Sequence, residues 1–487
     1  MDLPVVSLRA ILPSLIVLGT AAVVLLLDLL PPRDRKGHLP VVALAGVVAA
    51  LLSTTWLWGE EIRAFHGMVV LDGYALFLHL AICYAAGLVI LLSMDYLAER
   101  GLESGEYYVL VLLSTVGMML MTSAGDLIVV FLALELLSIP LYVLAGFARP
   151  RADSEESAMK YFLLGAFASG FFVYGVALTY GATQTTNLQG VVAAITSASA
   201  ADPLLLAGAA LILVGLSFKV AAVPFHMWTP DVYEGAPTVV TAFMSVGAKA
   251  GGFAALLRVF FTAFPALSAD WVPVVAVVSA LTMTLGNVVA IAQSSIKRML
   301  AYSSIAHAGY ILMAAVAGGQ SRLSEFAASA ALFYLMAYAL MNLGAWAVVI
   351  AVEKREGEGN LIDDFAGLGA TRPGLALAMA VFMLSLTGLP PTVGFIGKFY
   401  VFRAAIDAGY MWLALVGVVT SLISAFYYLR VVYVMYMQPL PEREPELQSS
   451  FTLVAAGALT ALAVVVAGIY PTPILSAAQV AVLQLVR

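Results

Sequence analysis

Residues Gly215–Trp228 read GLSFKVAAVPFHMW and directly follow the apolar run PLLLAGAALILV. Together the two stretches are long enough to cross the roughly 30 Å of hydrocarbon in a bilayer as a helix. They nevertheless hold Lys219 near the middle and, shortly after it, Pro224, which interrupts helical hydrogen bonding. A charged side chain at that depth costs several kcal/mol and is usually retained for function. The segment therefore predicts a broken membrane helix with an ionisable group beside the break.

The composition of the whole chain places this segment in a membrane protein. Of 487 residues, 62% are hydrophobic and only 11% are charged, and the mean hydropathy is +1.00. Apolar runs of membrane-spanning length recur from end to end, which predicts an all-α polytopic membrane protein. The net charge of −6 is spread over short loops and gives no indication of nucleic-acid binding.

The thiol and imidazole content excludes several kinds of site. The single cysteine, Cys83, cannot form an internal disulfide, a CxxC motif or a cysteine-held iron–sulfur cluster. The five histidines are too scattered to indicate a haem or zinc site. The first apolar run is too long for a signal-peptide core and lacks a small-residue cleavage site, so we expect it to remain as the first helix.

Hydropathy, read with breaks at glycine, proline and charged residues, predicts about fourteen membrane helices, α1 to α14. In order, their predicted ranges are 8–30, 38–58, 72–97, 107–122, 125–147, 158–181, 203–228, 237–263, 271–292, 296–317, 325–352, 374–404, 411–437 and 451–470. The loops between them reach at most about twenty residues, which leaves no room for a soluble domain.

Basic loop residues predict the orientation. One side of the membrane collects most of them: Arg33, Arg35, Lys36, Arg100, Arg149, Arg151, Lys297, Arg298, Lys354, Arg355, Arg372 and Arg443. The other side holds chiefly Arg63, Arg322, Arg403 and the two chain ends. The positive-inside rule then predicts that both termini are outside and that the basic loops are cytoplasmic.

Ionisable residues inside the apolar runs are the candidate functional groups. They are Glu135 in α5, Lys160 in α6, Lys219 in α7, Lys249 in α8 and Lys398 in α12. At 1.5 Å per residue, Glu135, Lys219 and Lys249 lie near one depth close to the midplane. Several charges at one depth favour a hydrated proton pathway in which a Glu135–Lys219 pair acts as a gate. The alternative is structural: lysine stems reach the interface, most plausibly for Lys160, or a Glu–Lys pair fixes two helices.

Two broken helices accompany these charges. Pro224 interrupts α7, and the stretch GLPPTVGFIGK, residues 388–398, interrupts α12 just before Lys398. Breaks five helices apart favour two repeats of five helices, inverted because the number is odd. The predicted units are an N-terminal extension at 1–106, a first repeat at 107–263, a second at 264–437, and a C-terminal loop with α14 at 438–487.

Weaker candidates lie in α10 and near the end of α7. His307 lies about eleven residues into α10 and is a candidate titratable relay; the alternative is a hydrogen-bonded core histidine. His226 is a candidate carrier between Lys219 and the cytoplasmic face. Asp231 and Glu234 precede α8, where helix capping is the simpler interpretation.

Five motifs together resemble one known family. They are ALELLSIPLY, ESAMKYFLLGAFASG, GLSFKVAAVPFHMWTPDVYEGAPT, SIKRMLAYSSIAHAGY and GLPPTVGFIGKFYVF. In order and spacing, from about Tyr108 to Tyr436, they resemble the antiporter-like subunits of the proton-pumping NADH:quinone oxidoreductase, complex I, and most closely the N type. That family also includes the L and M subunits and multisubunit cation/proton antiporters, which usually read closer to PFHTWLPDAH after the α7 break.

The resemblance implies a fold and a set of roles. The fold is two inverted five-helix repeats with α7 and α12 discontinuous. Glu135 matches the family glutamate of α5, and Lys160 matches the α6 lysine of the N type. Lys219 and Lys249 match the lysines of α7 and α8, and Lys398 the α12 lysine at the exit. No glutamate in α10 matches Glu135, so an exit-side pair is not evident.

The expected function is proton translocation in the bacterial inner membrane, driven by redox chemistry in other subunits. NADH, flavin, iron–sulfur clusters and quinone are then expected on those subunits, with no cofactor in this chain. The expected partners are an M-type neighbour, small membrane subunits and the lipid bilayer. The alternatives are a standalone cation/proton antiporter, an inert scaffold, and a ferredoxin- or hydrogenase-linked relative. Sodium sites usually need carboxylate and carbonyl oxygens, whereas this interior has more lysines than carboxylates.

Overall fold

A computed structural model describes residues 7–30, 36–197, 202–320, 323–353, 359–439 and 451–483. Across these ranges the chain is almost entirely helical, as predicted. Thirteen continuous helices in the described ranges are long and apolar enough to cross a membrane. The twelfth predicted span is present as two shorter helices in succession, so the prediction of about fourteen spans is confirmed.

The observed helices follow the predicted order closely. Their bounds are α1 Leu12–Asp28, α2 Leu39–Trp56, α3 Gly73–Glu99, α4 Gly105–Thr122, α5 Leu127–Ala145, α6 Ala152–Thr183, α7a Pro203–Val220, α7b Trp228–Gly235, α8 Thr238–Thr262, α9 Ser268–Ile291, α10 Ile296–Gly318, α11 Ser324–Val352, α12a Pro373–Thr387, α12b Val393–Asp407, α13 Met411–Met437 and α14 Phe451–Ile469. Asp72, Asp126, Asp202 and Ser295 cap α3, α5, α7a and α10 by accepting hydrogen bonds from backbone amides of the first turn.

Both predicted breaks are present and have a similar local form. The first half of each broken helix ends at a residue with left-handed backbone, Ala221 in α7 and Gly388 in α12. Trp228 Nε1 donates to the Phe218 carbonyl at 3.0 Å. This side chain thus satisfies one backbone carbonyl near the end of α7a, where the helical hydrogen bonds stop. Such satisfied, protein-enclosed irregular backbone is the only kind tolerated at membrane depth.

Three helices form the centre of the bundle. In α8 every residue of the most apolar stretch is buried, and in α10 and α11 nearly every one is. The helices α1, α2, α6, α13 and α14 expose most of their corresponding stretches and so form the periphery.

Several short elements were not predicted. An antiparallel hairpin pairs Ile62–Ala64 with Val69–Leu71, and a helix at Leu188–Ser197 lies between α6 and α7a. A helix at Thr472–Val482 follows α14 and packs against α3, where the Ala481 backbone would lie 2.8 Å from a Cβ at Gly73. The helix α6 begins at residue 152 rather than 158, so the acidic residues before Lys160 form its first turn.

The two ends of the bundle are named here by their loops. The basic face is the end with the α3–α4, α5–α6, α9–α10 and α11–α12 connections, and the opposite face carries the hairpin. Arg149, Arg151 and Arg298 lie on the basic face, as the loop count predicts. Six of the basic residues used in that count, Arg33, Arg35, Arg322, Lys354, Arg355 and Arg443, lie outside the described residues.

Candidate functional site

Lys219 lies two residues before the left-handed end of α7a and is only 2% exposed. Its ammonium donates to Ser138 Oγ of α5 at 2.7 Å and to the hydroxyl of Tyr161 of α6 at 3.2 Å. The same nitrogen lies 5.4 Å from the centre of the Tyr161 ring. Three helices therefore hold the ammonium through neutral groups, and its positive charge stays poorly compensated.

Glu135 and Lys219, both within the described ranges, are close but make no direct ion pair. The Glu135 carboxylate accepts a hydrogen bond of 2.5 Å from Ser169 of α6, whereas Lys219 bonds to Ser138, one turn along α5. The two charges still interact electrostatically. A cavity of about 10 Å³, close to the volume needed for one water, is lined by Lys219, Ser138 and Ser169, the hydrogen-bond partner of Glu135. The expected pairing is thus electrostatic and indirect.

Lys249 lies in α8 directly after a π-helical turn, Met244–Ala248, and is 2% exposed. One turn further, Gly252 gives room to the stem of Lys219, whose Cγ would lie 3.3 Å from a Cβ there. Lys249 and the stem of Lys219 therefore lie about one turn apart along α8, Lys249 as part of that helix and Lys219 packed against it. The ammonium of Lys249 donates to the backbone carbonyl of Ser304 in α10. A π turn within a helix often marks a functional position.

His307 lies one turn beyond Ser304 on α10 and is surrounded by tyrosines. Its Nδ1 lies 2.8 Å from the hydroxyl of Tyr334, and its Nε2 lies 3.2 Å from the hydroxyl of Tyr428. The Tyr338 ring lies 5.1 Å from the imidazole, centre to centre. Both ring nitrogens thus have hydroxyl partners that can donate or accept, which suits a histidine that passes a proton between two sides.

Lys398 lies in α12b, below the second break, and is 4% exposed. Its ammonium donates to the Thr387 carbonyl at 2.8 Å and to Ser421 Oγ at 2.7 Å. It also lies 4.7 Å from the centre of the Tyr310 ring, which belongs to the helix of His307. In the described part of the chain no carboxylate lies within ion-pair distance of Lys398, consistent with the absence of an α10 glutamate.

These contacts order the buried groups across the bundle. The order is Lys219, Lys249, His307 and then Lys398, and the helices that carry them run from the first predicted repeat into the second. Each group is at least nine-tenths buried, and the groups between them are hydroxyls, carbonyls and aromatic rings.

Comparison with known proteins gives this row its context. The family described as "NADH:quinone oxidoreductase/Mrp antiporter, TM" matches residues 124–424, more than half of the chain. The chain belongs to this family. The match begins just before α5 and ends within α13, so it includes every buried lysine named above.

Relatives in the family match over nearly the full length. The chain is 48% identical to "NADH-quinone oxidoreductase subunit N" of Trichlorobacter lovleyi, over 98% of this chain and 97% of that one. It is 50% identical to the protein of the same name in Chloroflexus aggregans, over 97% of each. These matches confirm the family resemblance.

Solved structures in the family match the fold. A chain of respiratory complex I from Thermus thermophilus is 36% identical, covers 96% of this chain and all of its own, and has a TM-score of 0.82. A chain of the Mrp complex from Dietzia sp. DQ12-45-1b has a TM-score of 0.84 but only 22% identity, which shows a shared fold alone. The predicted fold class is thereby confirmed.

Lys160 is the one site lysine that the structure separates from the row. It lies at the basic face, where its ammonium pairs with Glu156 at 2.7 Å and with Asp231 of α7b at 2.6 Å. Asp231 also pairs with Arg298 of α10 at 2.9 Å. Partial burial alone would raise the pKa of Asp231, but the hydrogen bonds from Lys160 and Arg298 lower it below its ordinary value. Asp231 therefore joins α6 to α10 through ion pairs rather than serving as a helix cap.

His226 lies in the break between α7a and α7b and is partly buried. In the described structure no hydrogen bond joins His226 to Lys219. Its role as a carrier toward the basic face stays a prediction.

Sequence reasoning missed the neutral members of the site. Ser138, Tyr161, Tyr334 and Tyr428 contact the ionisable groups directly, yet serine and tyrosine inside an apolar helix are common packing residues. One available signal was the spacing of polar residues on α11, where Tyr334, Tyr338, Asn342 and Trp346 recur every fourth residue on one face.

Proposed function

We propose that the chain is a proton-translocating membrane subunit of respiratory complex I, of the N type. The supporting observation is the buried row from Lys219 through Lys249 and His307 to Lys398, which crosses both predicted repeats. The relatives that match over nearly their full length are named as subunits of NADH-quinone oxidoreductase, which supports the same complex.

The row suits proton transfer because its charges lack fixed counter-ions. Lys219 and Lys398 are held by hydroxyl and carbonyl oxygens, which hold an ammonium but also accept a neutral amine as partner. The proton affinity of each lysine then depends strongly on nearby charges. Withdrawing the Glu135 carboxylate from Lys219 favours release of the Lys219 proton toward Lys249. Lys249 then releases its proton in turn, and the proton passes through His307 to Lys398.

The basic loops support a proposed placement in the cell. The basic face is cytoplasmic and both termini are outside, in a bacterial inner membrane. The M-type neighbour and small membrane subunits of the complex are the partners. NADH, flavin, iron–sulfur clusters and quinone are held by other subunits, and this chain contributes no redox site.

The test is NADH-driven acidification of inverted membrane vesicles that carry Lys219→Ala, with quinone reduction and assembly measured in parallel. We expect acidification attributable to this subunit to be lost while the complex stays assembled. Simultaneous loss of quinone reduction would indicate tight coupling. Full acidification in the assembled variant would contradict the relay and favour a scaffold role.

A cation/proton antiporter is the second candidate, since the family includes such complexes by its description. The buried cations of the row disfavour it, because a sodium ion needs oxygen ligands and is repelled by neighbouring ammonium groups. Sodium-gradient-driven proton movement by the isolated chain in liposomes would support this candidate.

A further inference from the structure

Asn287 of α9 is a buried polar residue that the proposed relay does not use. It is 0% exposed, although α9 exposes more than half of its most apolar stretch. A Cβ at the preceding residue, Gly286, would lie 2.6 Å from the Ala306 amide nitrogen of α10. Asn287 therefore lies close to the depth of His307, where its side-chain amide needs hydrogen-bond partners inside the protein.

The orientation of the Asn287 amide is fixed by a backbone carbonyl. Its Nδ2 donates to the Met283 carbonyl at 2.8 Å and to the Tyr310 hydroxyl of α10 at 3.1 Å. A carbonyl can only accept, so the nitrogen rather than the oxygen of the amide must face Met283. The remaining atom, Oδ1, then accepts from the Tyr427 hydroxyl of α13 at 2.9 Å. One amide thus bonds to two tyrosines on two different helices.

The Tyr310 hydroxyl is held from a second side as well. Because it accepts from the Asn287 amide, its own hydrogen is free for Thr420 Oγ1 of α13, 3.4 Å away. Thr420 uses its single hydroxyl hydrogen on the Val416 carbonyl at 2.8 Å, so its oxygen can accept from Tyr310. The two bonds tie the Tyr310 hydroxyl to both α9 and α13, which fixes the direction of the ring.

The Tyr310 ring contacts two members of the buried row. The Lys398 ammonium lies 4.7 Å from the ring centre, and the His307 ring lies 5.7 Å from it, centre to centre. Among the residues that the structure describes, no hydrogen bond joins His307 to Lys398. The ammonium also donates to Ser421, the neighbour of Thr420, so α13 holds both the ring and the charge. The negative face of the ring helps to stabilise that charge.

Fastening α9 to its neighbours does not account for this arrangement. Polar side chains do join membrane helices through hydrogen bonds. Ser279 already has that role in α9, since its hydroxyl donates to the Gly309 carbonyl of α10 at 2.8 Å. Asn287 bonds instead to the side chain that contacts both His307 and Lys398, which fastening does not require.

We propose that Asn287 is a positioning residue for proton transfer from His307 to Lys398 and that it acts by holding Tyr310 in place. The inference rests on the proposed function and concerns its last step inside the chain. In that step one N–H bond breaks at the protonated imidazole and one forms at the free amine of Lys398. The fixed ring keeps the Lys398 nitrogen against Ser421, at a constant separation from the imidazole. A ring released from Asn287 turns, so the two nitrogens reach the geometry for transfer less often.

Asn287→Leu tests this role in the assembled complex, because leucine keeps the approximate volume and removes both hydrogen-bonding atoms of the amide. Acidification by inverted vesicles is measured per assembled complex, in ordinary and in heavy water. Lys398→Ala defines the share of acidification that depends on the step. We expect Asn287→Leu to lower that share about fivefold, the usual effect of one buried hydrogen bond on an equilibrium. The ratio of the rates in ordinary and heavy water should rise, because a slowed proton transfer then limits the rate.

Two further variants separate positioning from stability. Ser279→Ala removes the other bond between α9 and α10 and should leave both the share and the isotope ratio unchanged. Tyr310→Phe keeps the ring but removes the hydroxyl that Asn287 holds, so it should act in the same direction. The double variant should be no worse than Asn287→Leu alone, because the two residues act through one contact. Tyr310→Phe also replaces Asn287→Leu if the latter fails to assemble.

The outcomes keep this inference apart from the proposed function. A smaller share with a raised isotope ratio in Asn287→Leu and Tyr310→Phe, and neither change in Ser279→Ala, supports the positioning role. No loss in Lys398→Ala, a smaller share with a wild-type isotope ratio, additive effects, or an equal change in Ser279→Ala would overturn it. If Lys219→Ala abolishes acidification while Asn287→Leu leaves it unchanged, the relay stands and the positioning role is rejected. If Lys219→Ala pumps normally and the expected Asn287 pattern is seen, entry through Lys219 is rejected and the positioning role stands.

Discussion

At the scale of single residues, the hydrogen-bond and ion-pair partners of each lysine distinguish lysines suited to proton transfer from a lysine that holds helices together. Lys219 and Lys398 have hydroxyl and carbonyl partners and are nearly inaccessible. Lys160 has two carboxylate partners and is 40% exposed at the side chain. Two carboxylates fix the charge of an ammonium, whereas neutral oxygens leave it free to change. We therefore expect Lys160 to hold α7b in place rather than to carry protons.

Lys160→Met should weaken the attachment of α7b without abolishing translocation. The stacking of Trp228 on Tyr161, with ring centres 4.5 Å apart, links α7b to a direct partner of Lys219, so partial loss is expected. Asp231→Asn should have a similar effect, and the double variant should be no worse than the more severe single one. Acidification by Lys160→Met, Asp231→Asn and the double variant measures this. If Lys160→Met abolished acidification while Asp231→Asn left it unchanged, Lys160 would instead be a member of the proton relay.

The Asp231 ion pairs also predict a pH dependence. The pKa of Asp231 is lowered from its ordinary 3.8, so its contribution to stability is fully present above that value. The contribution is lost as the pH falls through the lowered pKa. Thermal unfolding of the wild type and of Asp231→Asn in detergent should differ near neutral pH, and the difference should vanish only in strong acid. A difference that already closes between pH 7 and 5 would contradict this assignment.

At the scale of elements, the two breaks depend on close backbone approaches. A Cβ at Gly394 would lie 1.9 Å from the carbonyl oxygen of Ser385, so α12b can return against α12a only with glycine there. Gly388 has a φ of +89° and lies over the stem of Lys398. The position of Lys398 thus follows from the geometry of the break.

Gly394→Ala should disrupt α12 and lower the amount of assembled subunit. Backbone must move to relieve the contact with Ser385, since no flexible side chain can yield in its place. Gly374→Ala in α12a is the matched control, because a Cβ there meets nothing within 4 Å. Subunit content in purified membranes, quantified for both variants, is the measurement. If both variants gave normal subunit content, the break would accommodate a Cβ for which the structure has no room.

At the scale of the molecule, a buried ion pair fastens the opposite face. Arg258 of α8 makes bidentate contacts of 2.9 and 2.7 Å with Asp72, the cap of α3, and also donates to the Thr122 carbonyl at the end of α4. Both charged side chains are at most 6% exposed. The pair joins the start of α3, in the predicted N-terminal extension, to the central helix α8.

Asp72→Asn should therefore destabilise the chain by about 3–5 kcal/mol, because Arg258 would keep a buried charge without a counter-ion. The control is Glu61→Gln, which removes an exposed pair with Arg63 and should cost at most about 1 kcal/mol. Thermal unfolding of the detergent-solubilised chain compares the two. A change in Asp72→Asn no larger than in the control would mean that water or a rearranged partner compensates Arg258.

The sequence by itself determined the membrane spans, the two broken helices and five of the buried or half-buried charges, whereas others such as Arg258 and Lys297 became visible only in the structure. Each of these depends on a local free energy: hydrocarbon rejects charge residue by residue, and proline or glycine interrupts a helix where it stands. The family motifs added the roles expected for Glu135, Lys219, Lys249 and Lys398, because their order along the chain is itself a linear pattern.

The tertiary structure alone decided which groups meet. It separated Glu135 from Lys219 by a serine on each side and moved Lys160 into a surface ion network. These outcomes depend on distances between helices far apart in sequence. A serine or tyrosine that binds a lysine cannot be told in the sequence from one that only packs, because the packing of the helices decides which contact it makes.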